Sequence, residues 1–138
     1  MTGHAEALQA TLWVPGPLPG MNDLIAAAKG AGGTGRGYAK LKKQWTQDVW
    51  AWAKEARLPS FPRRVILSFH WFERERRRDP DNVAAGGRKL ILDGLVAAGV
   101  LRGDGWRYIQ SWSDRFDVRL DRCGAAVTLI HYAGSVQM

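Results

Sequence analysis

One cysteine, Cys123, stands in 138 residues, which excludes an internal disulfide and a cysteine-built zinc site and suits a reducing compartment. Histidine is nearly as scarce: His4, His70 and His131 lie far apart and show no metal-ligand spacing. Long hydrophobic runs are missing, none approaching the ~18 consecutive apolar residues that a membrane span needs. The N-terminus lacks a basic segment followed by an apolar run, so no signal peptide is expected. There is no internal repeat, linker or low-complexity tail. Acidic residues are the minority charge, 13 against 20 Lys and Arg, for a net charge of +7. These absences predict a soluble, cytoplasmic protein with no membrane partner. The positive balance favours a polyanion, nucleic acid before a membrane surface.

What is present is a globular composition, 46% hydrophobic with seven tryptophans, enough for one domain over residues 1–138 with its own core. Ala5–Val14 alternates as a first strand, and Pro15-Gly16-Pro17-Leu18-Pro19-Gly20 ends it. Asn22–Lys29 fits one or two helical turns. Gly30, Gly32 and Gly35 satisfy G-x-G-x-x-G, but a helix-like run precedes them where a dinucleotide site needs a strand. Arg36-Gly37 stand where a phosphate-binding P-loop has Lys and Ser or Thr, so the stretch reads as a mobile, basic, glycine-rich loop able to touch a phosphate backbone.

Tyr38, Leu41, Trp45, Val49, Trp52 and Ala56 form one apolar stripe and predict a helix over Tyr38–Arg57. Lys40, Lys42 and Lys43 crowd its first turns, where they oppose the helix dipole and suit an outside anion. Trp50 lies off the stripe, available to a neighbour or a second subunit. Val65–Phe72 is apolar on both faces and predicts a central strand, with His70 as a packed core residue. Leu90, Ile91, Gly94, Leu95 and Ala98 predict a helix starting near Arg88 and ended by Gly99, on which Lys89 and Asp93 stand four apart and could pair. Tyr108–Leu120 and Ala125–Tyr132 read as two strands joined by a turn around Asp121–Gly124. Asp114 and Asp117 then read as surface partners of Arg115, Arg119 and Arg122. The fold class is α+β: a small single domain with about four strands in one sheet and two main helices.

Between the central strand and the second helix runs Arg76-Arg77-Arg78-Asp79-Pro80-Asp81-Asn82. Proline disfavours the α region for the residue before it, so Asp79 should be extended, and an extended Asp79–Asp81 would aim both carboxylates to one side. Two like charges held together repel, and a hard cation such as Mg²⁺ relieves that repulsion. The same four residues equally describe a solvated turn capping the next helix.

Taken together, the segment resembles the RusA family of Holliday junction endodeoxyribonucleases, common in bacteriophages and prophages. The matching pieces are the basic run into Asp79-Pro80-Asp81-Asn82, then Lys89, Asp93-Gly94-Leu95, Ala98-Gly99-Val100, and Asp104. The resemblance implies an Mg²⁺-dependent homodimer, Mn²⁺ being a possible substitute, that resolves four-way or branched DNA by phosphodiester hydrolysis. It implies Asp79, Asp81 and Asp104 as metal-binding and catalytic acids and Lys89 as a catalytic cation. Gly103 departs from the pattern, standing where the first acid of the family's acidic pair is expected. Flanking phosphates are expected on Arg76, Arg77, Arg78, Lys40, Lys42 and Lys43, with Arg36 of the glycine-rich stretch. A helix over residues 88–98 would be about 16 Å long. Asp104, beyond its far end, must therefore serve a site shared across a dimer or lie on a loop that doubles back. The other readings are a catalytically weak or inactive DNA-structure-binding dimer, and a different metal-dependent phosphohydrolase or plain basic domain.

Overall fold

The computed structural model describes residues 8–33, 35–132 and 134. His4 and residues 5–7 of the expected first strand lie outside them. The order is β1 (Gln9–Pro15), α1 (Met21–Gly33), α2 (Arg36–Glu55), β2 (Val65–Glu73), α3 (Pro80–Ala97), β3 (Ile109–Val118) and β4 (Gly124–His131). The four strands form one sheet in the order β1-β4-β2-β3, with β2 and β3 parallel and the other pairs antiparallel. This is a small α+β domain with a mixed sheet.

The alternation of each strand decides which face is covered. Leu12 and Val14 of β1, Leu67, Phe69 and Trp71 of β2, and Val127 and Leu129 of β4 are buried in one core with Val49, Ala53, Ile91 and Leu95 of the helices. The opposite positions, Thr11, Thr128, Ser68 and Ser113 among them, share the other face, which no described helix covers. The molecule therefore has two layers, helices over one side of a sheet. Two glycines set the closeness of the layers. A side-chain carbon on Gly87 would enter the Trp71 ring, and one on Gly94 would enter Val49 of α2.

Several expectations need correction. Three helices form instead of two. The glycine stretch is not a free loop: α1 runs through Gly30 to Gly33, and α2 opens at Arg36 after Gly35, whose φ of 76° turns the chain. Gly37 permits the close approach of the two helices, since a Cβ there would meet the backbone oxygen of Ala27. The third helix begins at Pro80, eight residues before Arg88, because proline is favoured at a first helical position and the small residues 84–87 are buried or half-buried there. The last two strands are adjacent in sequence but not in the sheet. The β2-α3-β3 crossover lays β3 parallel to one edge of β2, and residues 119–123 cross the end of β2 to deliver β4 to its other edge. Among the described residues no helix is long and apolar enough to cross a membrane.

Candidate active site

The basic segment leaves β2 at Glu73 and meets α3 at Asp79, and two side chains tie it to the proline turn of residues 15–20. Arg78 grips the Glu73 carboxylate through Nε and Nη2, at 2.9 and 3.0 Å, and donates from Nη1 to the Leu18 carbonyl. It also lies 3.5 Å from Asp23, whose carboxylate accepts the Gly20 N–H. Asn82 Oδ1 accepts the Asn22 N–H at 2.8 Å, and Gly20 leaves room for that amide. The turn itself contains a cis Gly16-Pro17 bond. Arg78 and Asn82 are thus spent on holding α1, α3 and the strand end together.

Asp79 is extended, as its proline requires, with φ −67° and ψ 147°, and stands at the N-cap of α3 without making a side-chain capping bond. Asp81 is already helical. The expectation that both carboxylates lie on one side of an extended segment is therefore corrected, because the helix starts between them. Each helical residue turns about 100°. That aligns Asp81 with Ala85, Arg88, Lys89 and Leu92. Asp79 falls on another side, in a cleft of about 400 Å³ with Glu75, Arg76, Val83, Phe116 and Asp117. Both carboxylates are exposed, and neither has a hydrogen bond or ion pair among the described residues.

Asp104 does not end up far from α3. Gly99, at φ 76°, turns the chain; Val100 and Leu101 donate to the Leu95 carbonyl, and Phe61 donates to that of Val100. The loop then doubles back, and Asp104 lines a cleft of about 220 Å³ with Ala85, Arg88, Lys89 and Leu92. Asp104 and Lys89 thus share one cleft within a single chain, and Asp81 precedes the cleft's Ala85 by one turn, about 6 Å of helix rise, and Lys89 by about 12 Å. Among the described residues no three acidic, histidine or cysteine side chains converge as a preformed metal cluster.

Neighbouring charges are committed differently from expectation. Lys89 does not pair with Asp93, whose partner is Lys42 of α2 at 3.7 Å. Arg88 Nη1 bonds both oxygens of Asp114, at 2.9 and 3.0 Å, and its guanidinium lies over Phe69 and Trp112. Trp71 Nε1 donates to the same carboxylate at 2.9 Å. Asp114 is therefore not a partner of the strand arginines. Asp117 accepts a hydrogen bond from His70 Nε2 at 2.5 Å, and Arg115 and Arg119 act on it through their charge without a hydrogen bond or ion-pair contact. That bond holds the Asp117 carboxyl below its ordinary value of 3.8, helped by the charges of Arg115 and Arg119. His70 is accordingly a half-buried partner on the open sheet face, tilted against Phe72, and not an apolar core residue. Sequence spacing carried no signal for Arg88–Asp114 or His70–Asp117, since 26 and 47 residues separate them.

Of the expected phosphate contacts, Arg76, Arg77, Lys40 and Lys43 are exposed and unpaired among the described residues. Lys42 and Arg78 are engaged as above, and Arg36, which opens α2, is not free either. A cleft of about 770 Å³ lies beside the basic segment and includes Leu18, Leu41, Trp45, Arg74, Arg77 and Cys123. Burial pushes the Cys123 thiol up from its ordinary value, which keeps it protonated and poorly nucleophilic.

The three acids do not form a cage, and any Mg²⁺ here would take one or two carboxylates with water and substrate phosphate completing its shell. Compared with protein-family models and with curated proteins, the sequence finds no match.

Proposed function

We propose that this protein is a metal-dependent endodeoxyribonuclease of branched DNA, four-way junctions first, related to the RusA family. One observation carries the reading. Along α3 and its flanking loops, Arg78, Asn82, Arg88 and Asp93 are each engaged by the fold, whereas Asp79, Asp81, Lys89 and Asp104 are left facing solvent. Exposed carboxylates that the fold does not use, gathered with a free lysine about one helix and its flanking loops, are groups available to a hard cation and a phosphate.

In this reading Mg²⁺, or Mn²⁺ in its place, would be held by one or two of Asp79, Asp81 and Asp104, with water and the substrate phosphate completing its shell. The ion supplies charge neutralisation on the phosphate and a more acidic bound water. Lys89 stabilises charge that develops on the phosphate oxygens as the bond breaks. Arg76, Arg77, Lys40 and Lys43 hold flanking phosphates, contacts that position DNA without reading its sequence. The protein works as a homodimer, because a two-fold junction requires two cuts related by symmetry. The exposed edge strand β3, with Trp112 and Phe116 open to solvent, supports a second copy as partner.

The test is cleavage of a labelled four-way junction in Mg²⁺ beside a matched linear duplex, for wild type and Asp81→Asn. Paired symmetric nicks in the junction alone, lost in the variant, are expected. A second reading, a DNA-structure-binding dimer with little or no catalysis, is favoured by the placement of Asp79 and Asp104 in separate clefts. Junction binding with no cut from the wild type in either metal would select it.

A further inference from the structure

The open face of the sheet carries a cationic assembly that the acidic site does not use. Arg122, in the loop between β3 and β4, lays its guanidinium 4.8 Å from the Trp13 ring centre and 4.6 Å from that of Phe72. The two rings are themselves in contact, 5.8 Å apart at 60°. Trp13 stands on β1 and Phe72 on β2, so the arginine bridges the β4 strand that separates them. A guanidinium packed against aromatic rings can keep N–H groups available for a further acceptor. Among the described residues those groups have no carboxylate, since nearby Asp121 is taken by Arg119 and Asp117 by His70. The same face carries a second exposed arginine, Arg115, and a row of small hydroxyls, Thr11, Thr128, Ser68 and Ser113, which leaves the surface flat and approachable.

We propose that Arg122, pre-positioned on Trp13 and Phe72, is a phosphate-contacting residue and that the open sheet face is a second DNA-binding surface, opposite the helix layer that carries Lys40 and Lys43. Three features favour a nucleic-acid backbone as occupant. Rigid in-plane donors match phosphate oxygens, with two bonds available from one guanidinium. The chain as a whole is positive by seven charges. Finally, the Arg122 end of the sheet is the end at which β2 passes into Asp79, six residues beyond Glu73, so a strand leaving the acidic site meets this face at once. The inference rests on the nuclease reading and adds a surface to it. A junction whose arms diverge at the acidic rim would touch helix-layer cations with one arm and Arg122 with another.

The experiment measures binding of a labelled four-way junction, without divalent metal, across a series of salt concentrations. Wild type, Arg122→Gln, Arg122→Lys and Lys54→Gln are compared, the last removing one exposed charge elsewhere. Loss of one phosphate contact makes the slope of log K against log salt shallower by about 0.9. That change is expected for Arg122→Gln and not for Lys54→Gln, with Arg122→Lys keeping the wild-type slope. Arg122→Gln matching wild type would overturn the contact while leaving cleavage, and hence the nuclease reading, intact. A wild type that fails to bind DNA at low salt would overturn both.

Discussion

Arg88 and Lys89 are neighbours on α3, equal in charge and both at the edge of the Asp104 cleft, yet the fold uses them differently. Arg88 reaches across to β3, grips Asp114 and sits between Phe69 and Trp112, with its side chain 18% exposed. Lys89 makes no bond among the described residues and lines the open cleft with Asp104. A 100° step around a helix separates a residue that fastens the two layers from one that faces a potential substrate. The contrast extends along the chain: Arg78 against Arg76 and Arg77, Asn82 against Asp81, Asp93 against Asp104. In each pair one charge or amide is engaged by the fold, in Asp93 only through the 3.7 Å ion pair with Lys42, and the other is left for something outside it.

Substitutions separate the two classes. Asp81→Asn is expected to lower junction cleavage a hundredfold or more, about 2.7 kcal/mol in barrier, while unfolding free energy stays within about 0.5 kcal/mol of wild type. Single-turnover cleavage and urea unfolding on the same preparation check this, and a comparable loss of stability would place Asp81 with the structural class. Asp114→Ala should show the reverse emphasis. It strands Arg88 and removes the acceptor of Trp71 Nε1, and about 2 kcal/mol of stability is expected to go with it. Urea midpoints measure that, and a stable variant would mean Arg88 finds water without penalty.

Lys89→Ala sharpens the comparison between the neighbours. It should cut the cleavage rate about tenfold, near 1.4 kcal/mol, leave stability unchanged, and differ from Arg88→Ala, which should destabilise. Equal effects of the two substitutions on rate and stability would erase the distinction. The smallest effect concerns Asp117. Its pKa is depressed in the folded state, so the stabilisation from His70 is present above the ordinary carboxylate value of 3.8 and is lost as pH falls through the lower folded value. Wild type should therefore exceed Asp117→Asn in stability at pH 6, and the gap should close in strong acid. A gap that persists to pH 2 would show that charge is not its origin.

How far the sequence carried the reading depends on how local each feature is. β1, β2 and α2 were legible because alternation and the 3-4 spacing of Tyr38, Leu41, Trp45 and Val49 are local consequences of facing a core. The candidate acids were legible because Asp79-Pro80-Asp81-Asn82 is contiguous. The helical state of Pro80–Gly87 was not, since glycine lowers intrinsic helix propensity. Packing against Trp71 and against the backbone at Gly20 overrides it. The extended geometry expected for Asp81 failed for the same reason, since it assumed that the helix began later.

Strand order, and with it the site, needed the third dimension. Nothing in Ile109–Val118 and Gly124–His131 says that β2 lies between them; the β2-α3-β3 crossover decides it. The return of Asp104 to the side of Lys89 depends on a turn at Gly99 and on bonds to Leu95 and Phe61. By itself the sequence determined the class of the fold, the positive charge and the identity of the acidic groups, because composition and short-range period express them directly. Only the tertiary structure decided which charges are spent and which remain free, because partners such as Arg88 and Asp114, or Arg122 and Trp13, meet through burial and strand order, not through spacing along the chain.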